Sequence, residues 1–89
     1  MAVWRIRIES AALKSLSKLQ KSDQRRILHF LETRLAVREN PRELGEALTG
    51  PLAGLWKYRG GAFRMLAKID DGAVSILVVQ IGNRREVYR

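Results

Sequence analysis

Polar and apolar positions alternate at the start of the chain. Arg5 and Arg7 are interleaved with Trp4, Ile6 and Ile8, the period-two pattern of a half-buried strand. From residue 10 the spacing lengthens. Leu13, Leu16 and Leu19 recur every three residues behind Ser10, which is placed to cap a first helix. A second helix is expected to start at Ser22 or Asp23, with Ile27, Leu28, Leu31 and Leu35 facing a core and Arg25, Arg26, Glu32 and Arg38 facing solvent. Asn40-Pro41 ends it, because the residue before proline avoids the helical region. The two helices read as an antiparallel hairpin.

Residues 40–54, "NPRELGEALTGPLAG", are too rich in glycine and proline for a regular element and too apolar for a flexible linker. They are expected to form an ordered loop with one helical turn. Beyond them, "LWKYRGGAFRML" carries the signal of a β-hairpin. A two-residue turn matching strand twist needs positive φ, and Gly60-Gly61 supplies it cheaply. In that register Arg59 faces Ala62, Tyr58 faces Phe63 and Lys57 faces Arg64. Alternation then gathers Trp56, Tyr58, Phe63 and Met65 on one face and Lys57, Arg59 and Arg64 on the other. Like charges directly opposed destabilise a bare sheet, so an anion is expected at the basic face. "MLAKI" runs on to a turn at Asp70-Asp71-Gly72, "AVSILVVQI" is apolar on both faces as a central strand would be, and "GNRREVYR" closes the chain with a short edge strand around Val87.

The order is strand, helical hairpin, then three or four strands: an α+β fold with a mainly antiparallel sheet covered by helices on one face. The open face would carry Lys57, Arg59 and Arg64, joined by Arg84 from the end of the central strand. At 89 residues the chain is long enough for one core, and residues 1–89 are read as a single domain.

Charge sharpens this picture. Against nine Asp and Glu stand 17 Lys and Arg, a net +8, which draws such a small protein to polyanions, most often nucleic acid. The chain has no cysteine, so it offers neither a disulfide framework nor a thiolate metal site. No apolar run is long enough to span a bilayer, and the N-terminus lacks the stretch of a signal peptide. A cytoplasmic protein with no membrane partner, no metal and no cofactor is expected.

The Asn-Pro-Arg loop, the glycine spacing behind it, "LWKYRGGAFR" and the terminal "NRREVYR" come in an order that resembles the RelE-like toxins of the RelE/ParE superfamily. The likeness spans nearly the whole chain. It implies a ribosome-dependent endoribonuclease that cuts mRNA, with the ribosome and its mRNA and an acidic cognate antitoxin as partners. Position by position, it carries functional roles to Lys57, Arg59, Arg64, Arg84 and Tyr88. Cleavage by 2′-hydroxyl attack needs a base, stabilisation of charge at phosphorus, and help to the leaving 5′-oxygen. Arginine stays protonated, so Lys57 is the plausible base, with Arg59 and Arg64 as the neighbouring cations that favour its neutral form. Arg59 then suits a phosphate clamp and Arg64 charge stabilisation. The resemblance offers Arg84 as general acid, with electrostatic help as an equally economical role, and Tyr88 as a stacking group or proton donor. Family members commonly carry lysine at the position of Arg59, and many continue past the terminal tyrosine with a further helix.

Two other readings stay open. A ParE-like toxin would use the same basic face against DNA gyrase, and a noncatalytic module would only bind RNA. Each residue also has a plainer role: a solvated sheet face for Lys57 and Arg64, surface charge for Arg84 and Arg85, packing for Tyr88. His29 is read as structural, Trp4, Trp56, Tyr58 and Phe63 mostly as core, and Gly45 and Gly50 as backbone devices.

Overall fold

The structure is a computed structural model, and it describes residues 3–60 and 63–83. Strand β1 (Arg5–Ile8) leads into helix α1 (Ser10–Ser17) and helix α2 (Lys21–Phe30), which continues as a π turn over Leu31–Leu35. Short 3₁₀ turns at Pro41–Leu44 and Gly50–Leu52 flank β2 (Glu46–Ala47). Strands β3 (Trp56–Gly60), β4 (Phe63–Asp70) and β5 (Ser75–Asn83) complete one five-stranded sheet of order β1-β5-β4-β3-β2. Among the described residues, β1 and β5 pair in parallel and the other neighbours are antiparallel.

The expected α+β layout is therefore present, with four strands after the helices among the described residues. Its boundaries differ in detail. Glu9 and Gln20 precede the helices as N-caps without side-chain cap bonds, so neither Ser10 nor Ser22 or Asp23 serves as one. Loop 40–54 holds two 3₁₀ turns and the unanticipated β2. The apolar run of β5 lies inside the sheet between β1 and β4. Its Val79 is the extra residue of a bulge, since Leu66 pairs with Gln80 while Ala67 pairs with Val78. The expected strand at Val87 lies outside the described residues.

The core is a single layer between helices and sheet. Ala12, Leu16, Ile27, Leu31 and Leu35 from the helical side meet Tyr58, Phe63, Met65, Ala67, Ile76, Val78 and Ile81 from the strands. Leu13 and Leu28, assigned to the core from spacing, are instead exposed; the inward stripe of α1 passes through Ala12 and Leu16. Trp4 closes the far edge, its indole N–H donating to the Arg38 carbonyl at 3.0 Å. His29 is exposed on α2, with its carbonyl accepting from the Thr33 hydroxyl at 2.6 Å.

Tyr58 ties the loop to this core. Only 1% exposed, it packs its ring near Phe30 and donates its hydroxyl to the Pro41 carbonyl at 2.9 Å. Burial pushes the phenol up to about 12, with the Arg42 charge opposing. A raised folded-state value means that the neutral phenol adds stability below pH of about 10, its unfolded value, and that this is lost as pH rises toward about 12. Tyr58→Phe should cost about 1–2 kcal/mol at neutral pH by orphaning the buried carbonyl. The same substitution should flatten the decline of thermal stability between pH of about 10 and 12, measured by melting at a series of pH values.

Candidate functional site

The β3–β4 hairpin sorts its side chains as alternation requires. Tyr58, Phe63 and Met65 are buried against the helices, while Lys57, Arg59 and Arg64 lie on the opposite face. The pairing itself is displaced. Gly60 is a strand residue paired with Phe63, so Arg59, not Lys57, stands directly opposite Arg64, and Lys57 faces Leu66. The expected Gly60-Gly61 turn is thus corrected: Gly60 belongs to β3, and Gly61 lies outside the described residues. Each β3 residue's partner moves by two positions, from Arg64 to Leu66 for Lys57, so the displacement moves the pairing without exchanging the faces.

The like-charge opposition expected for Lys57 falls on Arg59, and a carboxylate answers it. Glu46 on β2 pairs with Lys57, which places its side chain on the basic face. Its Oε2 is 3.2 Å from Lys57 Nζ and its Oε1 is 2.9 Å from Arg59 Nη2. The hydrogen bond from Lys57, then the charge of Arg59, hold the Glu46 carboxyl below the usual carboxylate range, and Arg64 adds to this from further away. Lys57 is the sheltered member, its side chain 17% exposed against 58% for Arg59. Arg64 is half-buried and folds back, Nη1 donating to the Phe63 carbonyl at 3.0 Å. Lys57 is therefore not surrounded by cations alone, which corrects the environment expected for it.

The placement of Glu46 depends on the loop before it. Asn40 Oδ1 accepts from the Arg42 N–H at 3.1 Å, and Arg42 reaches Asp71 through two hydrogen bonds at 3.1 and 2.7 Å while lying over the Trp56 ring. With the Tyr58 hydroxyl on Pro41, these contacts fasten the loop to β3 and to the β4–β5 turn. Gly45 then passes so close to Tyr58 that an added Cβ would stand 2.8 Å from ring Cε1 and 3.0 Å from the Lys57 carbonyl oxygen. Gly45→Ala should therefore push β2 from β3, cost about 1–3 kcal/mol of stability in chemical denaturation, and loosen the Glu46 contacts. Gly50, at φ 65°, is the other backbone device.

Lys57, Arg59 and Arg64 are thus brought to one face, whereas Arg84 and Tyr88, together with Arg85, lie outside the described residues. Glu46 is the member that sequence reading missed. One of two acids in a glycine- and proline-bearing loop, it has no periodicity to report its direction; its position ahead of a basic strand was the only signal. Among the described residues no group of three or more His, Cys, Asp or Glu comes together. No helix among them is long and apolar enough to cross a membrane.

Residues 6–88 match the family described as ParE toxin of type II toxin-antitoxin system, parDE. The chain belongs to this family, within the RelE/ParE superfamily. The toxin is also similar to two named toxins of Mycobacterium tuberculosis. It is 27% identical to Toxin RelG over 84 residues, covering 94% of each chain. To Toxin RelE it is 29% identical over 86 residues, 97% of this chain and 87% of that one. Among solved structures, the toxin-antitoxin complex RelBE2 of the same organism contains a chain that superposes with a TM-score of 0.87 at 26% identity, covering 97% of both chains. The toxin is thus a type II toxin related to RelE, with the fold of that group.

Proposed function

We propose that the toxin, as one domain over residues 1–89, is a ribosome-dependent endoribonuclease that cuts mRNA and halts translation in the cytoplasm. The observation that carries this reading is the seat made by Lys57 and Arg59, which hold the two oxygens of one carboxylate at 3.2 and 2.9 Å. A phosphodiester presents two non-bridging oxygens in a similar fork, and cations so placed recognise either. Similarity to RelE-named toxins supports the same reading.

In the proposed reaction Lys57, once released from Glu46, serves as the base that takes the proton of the 2′-hydroxyl. The 2′-oxygen bonds to phosphorus, the P–O5′ bond breaks, and a 2′,3′-cyclic phosphate and a 5′-hydroxyl result. Arg59 clamps the phosphate and Arg64 stabilises charge gathering on its oxygens. Arg84 assists the departing 5′-oxygen by donating a proton or by its charge, and Tyr88 stacks on a base or supplies the proton. No cofactor or metal is assigned to the reaction. The partner that restrains the toxin is an acidic antitoxin, of the RelB kind present in the RelBE2 complex.

The match to a family described as ParE favours a second reading, in which the basic face binds DNA gyrase. The test is a reconstituted one: ribosomes programmed with a defined mRNA, incubated with the toxin, and the new ends analysed chemically. Cyclic phosphate at the upstream fragment and a 5′-hydroxyl at the downstream one are expected. Intact mRNA beside ribosome-bound toxin leaves a binding module, and intact mRNA with inhibited gyrase favours the second reading.

A further inference from the structure

We propose that Glu46 is an internal counter-ion that occupies the anion seat of the toxin, so that a substrate phosphate enters by displacing this carboxylate. The inference deepens the reading of Lys57 and Arg59 as phosphate-binding groups and rests on it. It makes Glu46 a specificity-determining residue of that site.

Three features support the assignment. First, Glu46 is bound as a ligand would be: each carboxylate oxygen takes one cation, Oε2 with Lys57 Nζ at 3.2 Å and Oε1 with Arg59 Nη2 at 2.9 Å. A phosphate that bridges both cations through the same fork would have to stand where the Glu46 carboxylate now does. Second, the carboxylate is delivered to the seat by fixed parts. Register with Lys57, the Tyr58–Pro41 hydrogen bond and the close passage of Gly45 hold β2 against β3. Third, it is removable. Its side chain is 55% exposed at the tip of a two-residue strand, and rotation about its own bonds carries it into solvent without disturbing the core.

The consequence is selective. A single small anion bridges Lys57 and Arg59 only by displacing a carboxylate that is already in place. A polyanionic strand meets Arg64 in addition, together with the general field of a chain at net +8, and can complete the exchange. Glu46 thus penalises isolated anions more than a presented strand of RNA.

The test uses inorganic pyrophosphate as the probe and the full chain as the protein. Binding is measured by calorimetry at neutral pH for the wild type, Glu46→Gln and the double variant Glu46→Gln/Lys57→Ala, each first shown to be folded by circular dichroism. Glu46→Gln should bind pyrophosphate about five- to tenfold more tightly, the release of two ion pairs that share one solvent-exposed carboxylate. Most of that gain should vanish in the double variant. Equal or weaker binding by Glu46→Gln overturns the inference, as does a gain that survives loss of Lys57. In the ribosome assay at limiting substrate, Glu46→Gln should cut faster. Loss of cutting would make the carboxylate part of the chemistry and also overturn the inference. The two proposals fail separately. Tighter pyrophosphate binding with no cutting by any form sinks the nuclease and keeps the counter-ion, whereas cutting by the wild type with unchanged pyrophosphate affinity does the reverse.

Discussion

Lys57→Ala is expected to lower single-turnover cleavage of ribosome-bound mRNA by about 10²–10⁴-fold, the contribution of a positioned general base. The fold should survive, because Lys57 lies on the face away from the core cluster. Lys57→Arg separates two roles for the same position. Arginine keeps a cation near Glu46 but does not give up its proton, so it should restore pyrophosphate binding without restoring cleavage. A Lys57→Arg toxin that cuts at the wild-type rate would leave Lys57 as a phosphate ligand and put the base elsewhere. Arg64→Ala should also slow the reaction, with the loss in the rate of the bound complex rather than in affinity, as expected for a group that meets charge developing at phosphorus.

The largest effect on stability is expected from Ile27→Ala. Ile27 is fully buried where α2 meets the sheet, and removing its side chain should cost about 3–4 kcal/mol through lost burial and an unfilled cavity. For a domain of this size that corresponds to a fall in Tm of roughly 15–25 °C. Its neighbour is the control: Leu28 is 37% exposed, and Leu28→Ala should cost below about 1 kcal/mol. Thermal unfolding of the pair checks both. Equal losses would mean that α2 presents a different stripe to the sheet.

The contrast between these neighbours shows how far the sequence could be read. Three- and four-residue spacing located the inward side of α2 and picked Ile27, Leu31 and Leu35 correctly, but spacing alone does not fix the width of a buried stripe, so Leu28 was drawn in with them. In α1 the same rule favoured Leu13 over Ala12, because apolar size dominates a pattern while close approach of a helix to a strand favours a small residue. Strand faces were legible because period two is rigid: Tyr58 and Met65 went inward, and Lys57, Arg59 and Arg64 outward, whatever the turn. The register was not, since adjacent glycines offer two places for a two-residue turn, and the choice that pairs Gly60 with Phe63 depends on the whole sheet.

The candidate site divides in the same manner. Its cations announced themselves by crowding within one hairpin. Glu46 did not, because its role arises from tertiary contacts: Tyr58 on Pro41, Arg42 on Asp71, and the missing Cβ of Gly45. β2 was equally silent, two residues being too few to show alternation. That single carboxylate changes the chemistry inferred for Lys57 from a lysine pressed by cations to one whose partner must first be displaced.

Mapping of 5′ ends across cellular mRNA after brief expression of the toxin, with gyrase activity followed in the same cells, tests the central claim most directly. A ribosome-dependent nuclease acting through Lys57 should produce cuts phased to codons within translated regions, absent with Lys57→Ala, while gyrase remains active. Unphased or missing cuts together with stalled gyrase would contradict it.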